Sequence, residues 1–380
     1  MGRSPPNGKP FAGVAGLWRK FHRDEVVARK AGFRAYYENV HVQAMQINRR
    51  RFIKASAGAA LSAGLFAGCR TDRPTAPPHS HPIPVILATD IGDDIDDTWA
   101  LGFLLKCPEL SLKLAATEFG KAPYRARLLG KFLQQTGHAN VPIAVGPDVE
   151  PRGGGPLADW VRDYDLSAYP GRVHADGVGA MIDVIMNSPQ PVTLICIGPM
   201  ANVAAALQRE PRIARRARFV GMDGSVRLGY GGAKKPCAEW NVKADPAAAQ
   251  KGLSAGWDIT ITPLDTCGLV SLDGARYQRI LRARDPVPAT IVENYRLWSR
   301  AKGNEAAAER HSSTLFDPVA VYLAFSRRFC RMERPGIRVT NDGFTVIDDQ
   351  ARRMNVATAW NDLDGFRDLL TERLCGVVMA

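Results

Sequence analysis

Asp90-Ile91-Gly92-Asp93-Asp94-Ile95-Asp96-Asp97 places five carboxylates within eight residues. The run follows Val85-Ile86-Leu87, an apolar stretch of strand length. It leads into Trp99-Ala100-Leu101-Gly102-Phe103-Leu104-Leu105, which reads as the start of a buried helix. The acidic residues therefore occupy a strand-to-helix loop. Charges this close repel one another, so either solvent separates them or a cation neutralises them. An all-oxygen cluster suits a hard divalent ion such as Ca²⁺ or Mg²⁺. The simpler reading is a solvated acidic turn with one Asp capping the helix. Position favours the cation, because ligands of open α/β sheets bind beyond the carboxyl ends of the strands.

Outward from this loop, apolar runs alternate with helical patterns. Strands are predicted at 85–88, 112–117, 143–145, 192–197, 219–222 and 259–263. Helices are predicted at 98–106, 125–136, 177–187, 200–209 and 246–253. The βαβα rhythm predicts an α/β fold with a mainly parallel, Rossmann-like central sheet flanked by helices, forming a single domain over 84–380.

The first 69 residues read as a leader. Residues 1–70 hold 13 Lys/Arg against 3 Asp/Glu, so +10 of the net +12 lies there. The high charge is thus no argument for nucleic-acid binding, which needs a basic face on the folded domain. Asn48-Arg49-Arg50-Arg51-Phe52-Ile53-Lys54 resembles a twin-arginine export signal. An Ala/Gly-rich apolar segment follows, too short to span a bilayer. Leu65-Phe66-Ala67-Gly68-Cys69 resembles a lipobox with Cys69 as the acylated residue. Met45 offers an alternative start, which would make residues 1–44 an over-called extension. The expectation is a periplasmic protein, or a lipoprotein touching the membrane only through its anchor. A Pro-rich linker covers 70–83. Six cysteines remain beyond Cys69, with no metal-type spacing, and are expected to be mostly free, buried thiols.

Three further segments sit at predicted loops: Ile197-Gly198-Pro199-Met200-Ala201-Asn202, Ala238-Glu239-Trp240-Asn241-Val242 with Asp245-Pro246, and Phe316-Asp317-Pro318. Taken alone, Asp317-Pro318 is an ordinary helix start with Pro at its first position. With the acidic loop, in this order, the four resemble the nucleoside hydrolase family, the calcium-dependent N-ribosyl hydrolases. The resemblance covers roughly residues 83–374.

It implies a nucleoside hydrolase-like fold, a Ca²⁺ cofactor, a small riboside or related glycoside as substrate, and an assembly of identical subunits. It also implies roles for residues. Asp90 would bind the ion and act as base on the water it activates. Asp97, the Ile197 carbonyl and Asp317 would complete the metal site. Asp96, Glu239 and Asn241 would contact the sugar. The chemistry is coherent, since breaking a ribosyl C–N bond builds positive charge on the ring that carboxylates stabilise.

Departures from the family pattern lie on the sugar and base sides. Lys121 stands where an Asn is common, Ala233 where a sugar-binding Asn is expected, and Phe316 where a His is frequent. Lys121 is expected either to face the site, offsetting surplus Asp charge or binding substrate, or to be a surface lysine. Phe316 is expected to stack on substrate or to be core. His311, His174 and Tyr230 are candidate acids. The roles of Asp93 and Asp94 stay open, because the loop is two residues longer than the family's best-known form. If extended, the 239–241 segment turns Trp240 away from its neighbours into packing. Two other functions remain: an envelope lipoprotein that binds a nucleoside or sugar without turnover, and a hydrolase of another glycoside.

Overall fold

The structure, a computed structural model, describes residues 81–147 and 154–376. The export signal, the lipobox at Cys69 and most of the linker lie outside the described residues.

The chain enters the sheet with β1 (Ile83–Thr89) and passes through the acidic loop into α1 (Asp96–Leu105). It continues through β2 (Leu110–Thr117), α2 (Ala122–Gln135), β3 (Ile143–Ala144), β4 (Val173–His174), α3 (Gly177–Asn187), β5 (Val192–Cys196), α4 (Ala201–Arg209) and β6 (Ala217–Met222). Next come α5 (Trp240–Ala244), α6 (Pro246–Ser254), β7 (Asp258–Thr262), α7 (Gly274–Arg282), α8 (Pro286–Ala301) and α9 (Pro318–Leu323). Strands β8 (Cys330–Glu333), β9 (Ile337–Val339), β10 (Thr345–Ile347) and β11 (Asn355–Trp360) precede α10 (Leu363–Cys375).

Nine strands form one sheet in the order β4-β3-β2-β1-β5-β6-β7-β11-β8. All its pairs are parallel except β11 with β8. The expected mainly parallel sheet flanked by helices is therefore what forms. From β1 the chain moves outward through β2 to β4, then returns to the other side of β1 with β5. The order reverses between β1 and β5, which opens a crevice at their carboxyl ends. The pairing runs to the very end of β1: Ile197 N–H donates to Ala88 O at 2.9 Å and Glu118 N–H to Thr89 O at 2.8 Å.

Both faces of β1 are buried, as a central parallel strand requires. Val85 and Leu87 join a core made with α1, α2 and α7 to α10, whereas Ile86 and Ala88 join one made with α3, α4 and α6. Asp96 to Leu104 of α1 are all buried, so this helix has no solvent face to carry polar residues. Trp99 packs on Tyr277 and Tyr295, each with ring centroids 6.4 Å away. The six cysteines among the described residues are free, four of them buried. Among the described residues, no helix is long and apolar enough to cross a membrane.

Beyond residue 263 the one element predicted is the helix starting at Pro318, which forms as α9, and α5 corrects an expectation. The segment after Glu239 is helical, not extended. Glu239 caps it by accepting from the backbone N–H groups of Asn241 at 2.8 Å and Val242 at 3.3 Å. Trp240, at the first helical position, is 38% exposed instead of packed.

On the second core face Trp257 is buried, stacks on Phe219 at 5.4 Å and donates from Nε1 to Gly252 O at 3.0 Å. Trp257→Ala is expected to cost about 3–5 kcal/mol, read as a lower urea midpoint at unchanged slope.

Candidate active site

The loop after β1 is buried rather than solvated: Asp90, Asp96 and Asp97 are each at most 6% exposed. Nor does an Asp cap α1, because its cap residue is Ile95 and makes no side-chain capping bond. Asp94 turns back within the loop and accepts from Ile95 N–H at 2.7 Å. Asp96 and Asp97 occupy the first turn of α1. Asp317, 3% exposed, arrives from the far end of the chain at the start of α9, and its N–H donates to Asp96 Oδ2 at 3.3 Å. Its side chain makes no capping bond to α9.

Asp96, Asp97 and Asp317 each place one oxygen within 4.8 Å of the other two. Such a buried all-carboxylate group fits a hard cation. The grouping differs from the expected ligand set. Asp96, expected on the sugar, stands inside it, and Asp90, expected as a ligand, stands outside. The local reason is the chain path. Asp90 ends the strand, and its carboxyl lies against Gly198, where an added methyl would come within 2.7 Å of its Oδ1. The other two begin the helix. Thr89 Oγ1 donates to Asp97, fixing that carboxylate.

Burial pushes Asp90 up to about 6, opposed by Arg125 and aided by Asp93. Burial followed by neighbouring carboxylates raises Asp96, Asp97 and Asp317 well above 3.8. For Asp96 the leading neighbour is Asp94, for Asp97 it is Asp90, and for Asp317 it is Asp96. Asp93 behaves oppositely. Burial alone would raise it, but Arg125 and Lys121 hold it below its ordinary value.

Arg125 organises the loop. Fully buried on α2, it donates to Asp90 O, to Ile91 O at 3.0 Å and to Asp93 Oδ2 at 2.8 Å. It also donates to Gly120 O at 3.0 Å and Phe119 O at 3.1 Å, joining the loop after β1 to the loop after β2. The second loop is strained, since Phe119, Gly120 and Lys121 have consecutive φ values of 51°, 65° and 50°. Lys121, partly exposed, extends its ammonium to Asp93 Oδ1 at 2.7 Å. Of the two roles expected for it, offsetting acidic charge is the one with a visible partner. Asp93 is thus the anion of a Lys121–Asp93–Arg125 clamp.

Glu239 and Asn241, expected on the sugar, come together beyond the end of β6. Asn241 Nδ2 donates to Met222 O at 2.9 Å and to Ile197 O at 3.3 Å, leaving its amide oxygen for a ligand. The Ile197 carbonyl, expected on the metal, already accepts this bond but has a second lone pair. Glu239 also accepts from Gly224 N–H at 3.0 Å, and burial raises it to about 7. Phe316 is half-buried, its ring edge-on to Tyr230 with centroids 5.9 Å apart. Ala233 is exposed in a turn closed by Gly229 N–H to Ala233 O at 2.9 Å. His174 lies on the edge strand β4, and His311 pairs with Ser312 O at 2.8 Å.

Two buried acids were missed. Glu118 accepts from Asn202 N–H at 2.9 Å, and its other oxygen has no partner. Asp223 has a partner for neither oxygen and sits over Gly221, which has no Cβ to obstruct it. Burial raises both well above their ordinary values. The available signal was position, a charged residue directly beyond an apolar strand. Arg125 was concealed in an amphipathic pattern.

The family model described as inosine-uridine preferring nucleoside hydrolase matches residues 85–368. The chain belongs to the nucleoside hydrolase family. A pyrimidine-specific ribonucleoside hydrolase RihA of Enterobacter sp. (strain 638) is 30% identical, the match covering 77% of this chain and 97% of that protein. A non-specific ribonucleoside hydrolase RihC of Klebsiella pneumoniae (strain 342) is 28% identical over 74% of this chain and 93% of its own. The fold is shared with a plant nucleoside hydrolase (TM-score 0.64, 23% identity, 78% of this chain and 100% of that one). It is also shared with a purine-preferring ribonucleoside hydrolase from Gardnerella vaginalis (TM-score 0.62, 22% identity, 77% and 98%). As a nucleoside hydrolase the chain is an enzyme acting on N-glycosyl bonds, and the binding-only reading is not favoured.

Carboxyls raised above their unfolded values hold protons that the unfolded chain has lost. The stability they confer is present in full below about pH 4 and lost as pH rises through the raised values, about 6 for Asp90 and about 7 for Glu239. Without divalent cation, Tm is expected to fall from about pH 5 to about pH 8, and millimolar Ca²⁺ or Mg²⁺ to reverse the fall. Arg125→Met strands Asp93 and several buried carbonyls, and is expected to cost about 3–5 kcal/mol in chemical denaturation.

Proposed function

We propose that this nucleoside hydrolase is a Ca²⁺-dependent enzyme that cleaves the N-ribosyl bond of a small nucleoside-like substrate with water. What carries the reading is the convergence of Asp96, Asp97 and Asp317, three buried carboxylates from opposite ends of the chain, beside Asp90 at the switch point of the sheet. Hard, crowded oxygens that lack a neutralising partner fit Ca²⁺ better than a softer metal. Asp97 and Asp317 would hold the ion together with Asp96, and Asp90 and the Ile197 carbonyl would be the further oxygens offered to it. Bound there, Ca²⁺ supplies Lewis acidity to a water and to ribose hydroxyls.

The chain's own groups do the rest. Asp90, buried at the carboxyl end of β1 beside the cluster, takes the proton of the attacking water. The surrounding carboxylates stabilise the positive charge that grows on the ribose ring. The Asn241 amide oxygen accepts from a ribose hydroxyl, because its nitrogen is committed to Met222 and Ile197. Glu239, anchored by three backbone N–H groups, offers its remaining lone pairs to another hydroxyl. Lys121 keeps Asp93 out of the reacting charge set. Arg49 to Arg51 and Cys69 support export and lipid anchoring, which would place this reaction in the cell envelope.

The test is release of free ribose from a panel of nucleosides. Asp90→Ala is expected to lower kcat by about 10³-fold while the fold is retained, and chelation to abolish turnover until Ca²⁺ is restored. Undiminished turnover in chelator, or in Asp90→Ala, would sink the mechanism.

A further inference from the structure

Beyond the end of β6 the chain runs through Gly224-Ser225-Val226-Arg227 without joining a helix or a strand. A run of backbone donors outside any ladder needs acceptors from elsewhere. Here each finds a side chain. Gly224 N–H donates to Glu239 Oε2 at 3.0 Å, and Ser225 N–H to Thr345 Oγ1 at 2.9 Å. The N–H groups of Val226 and Arg227 share one carboxylate, reaching Asp265 Oδ2 at 2.9 Å and Oδ1 at 2.8 Å. Thr345 makes a second bond by donating to Ser225 O at 3.0 Å. Asp265, just beyond β7, and Thr345, the first residue of β10, are both buried. Gly224 makes the approach possible, since its φ is 83° and an added methyl would lie 2.5 Å from Thr345 Oγ1. Strands β9 and β10 stand apart from the nine-stranded sheet, and the turn between them also meets α5. A methyl added at Gly343 would lie 2.5 Å from Lys243 Cα. This small sheet thus backs both segments that hold Glu239 and Asn241 in place.

We infer that Thr345 and Asp265 are positioning residues for the sugar: they fix Gly224, whose N–H aims the Glu239 carboxylate at a sugar hydroxyl. The inference rests on the N-ribosyl hydrolase reading above, in which Glu239 contacts the sugar. Two of the three bonds to Glu239 come from α5, the five-residue helix it caps. Those two would let the carboxylate move with that helix. The bond from Gly224 ties it to the end of β6 instead. A donor on a segment that could itself shift would fix nothing. Asp265 removes that freedom with a charged acceptor for two successive N–H groups, and Thr345 by bonding Ser225 on both its N–H and its carbonyl. Hydrogen bonds weaken steeply with misalignment, so a small turn of Glu239 is felt by the hydroxyl it receives.

The test compares the full chain with Thr345→Val, which keeps the shape and removes the hydroxyl, Thr345→Ser, which keeps the hydroxyl, and Asp265→Asn, which leaves one N–H facing an amide donor. Melting temperatures are recorded alongside, and Thr345→Val decides if Asp265→Asn does not fold. Substrates are uridine and its 2′-, 3′- and 5′-deoxy analogues, each read by turnover or, where there is none, by inhibition of uridine cleavage. Thr345→Val and Asp265→Asn are each expected to lose about tenfold in kcat/KM on uridine, chiefly through KM. On the analogue lacking the hydroxyl that Glu239 holds, the same changes are expected to cost no more than about twofold. Thr345→Ser is expected to recover most of the loss. Equal losses on uridine and all three analogues would make the network mere support for the fold and overturn the inference. So would an unchanged Thr345→Val, or a loss in Thr345→Ser equal to that in Thr345→Val. Absence of turnover by the parent on every nucleoside would instead defeat the hydrolase reading. Uridine binding by calorimetry would then read the sugar side, and equal affinity in parent and Thr345→Val, or no binding by the parent, would overturn the inference as well.

Discussion

Mutual repulsion among carboxylates buried at the end of one strand is the constraint around which this structure is arranged. Taking several like charges out of water is unfavourable unless they are neutralised, protonated or hydrogen-bonded. The fold applies neutralisation and hydrogen bonding to different residues. Asp93 is neutralised by Lys121 and Arg125, Asp97 accepts from Thr89, and Asp96 accepts from the Asp317 backbone. What these bonds leave uncompensated is concentrated on Asp90, Asp96, Asp97 and Asp317, where a cation fits.

The scaffold explains why the remainder can be held in place. β1 is hydrogen-bonded on both sides up to its last residues, and α1 is buried over almost its whole length. Neither element can shift to relieve the repulsion. The turn after β2 absorbs some of the conflict in three left-handed residues, whose carbonyls at Phe119 and Gly120 both accept from Arg125. Lys121 and Asp93 are partners, so the lysine meets one of the charges of the acidic loop.

The parts legible in sequence were those with a strong local period or an unusual local charge. Strands β1 to β3 and β5 to β7 followed from short apolar runs separated by turn residues, whereas the two-residue edge strand β4 did not. The acidic loop and Asp317 stood out by composition and by resemblance. Long-range partnership was not legible. Nothing local marks Arg125 as the hub of the loop, since an arginine every few positions on an amphipathic helix ordinarily points to solvent. The helical turn at 240–244 was not predicted because five residues hold less than two turns of period, and Glu239, whose capping creates it, stood out only as part of a functional motif. The short strands β8 to β10 carry weak signals of their own and are defined by what they pack against.

The carboxylates at Asp96 and Asp97 meet Asp317 across 221 positions of chain, a span seen in the bond from the Asp317 backbone to Asp96. A polypeptide emerging from the ribosome carries its acidic loop early and must wait for more than half of its length before the closing residue appears. Until α9 docks on α1, the strand end holds charge without the enclosure that makes it useful. On the proposed mechanism a nascent chain would be silent, and activity would begin only when most of the domain is complete.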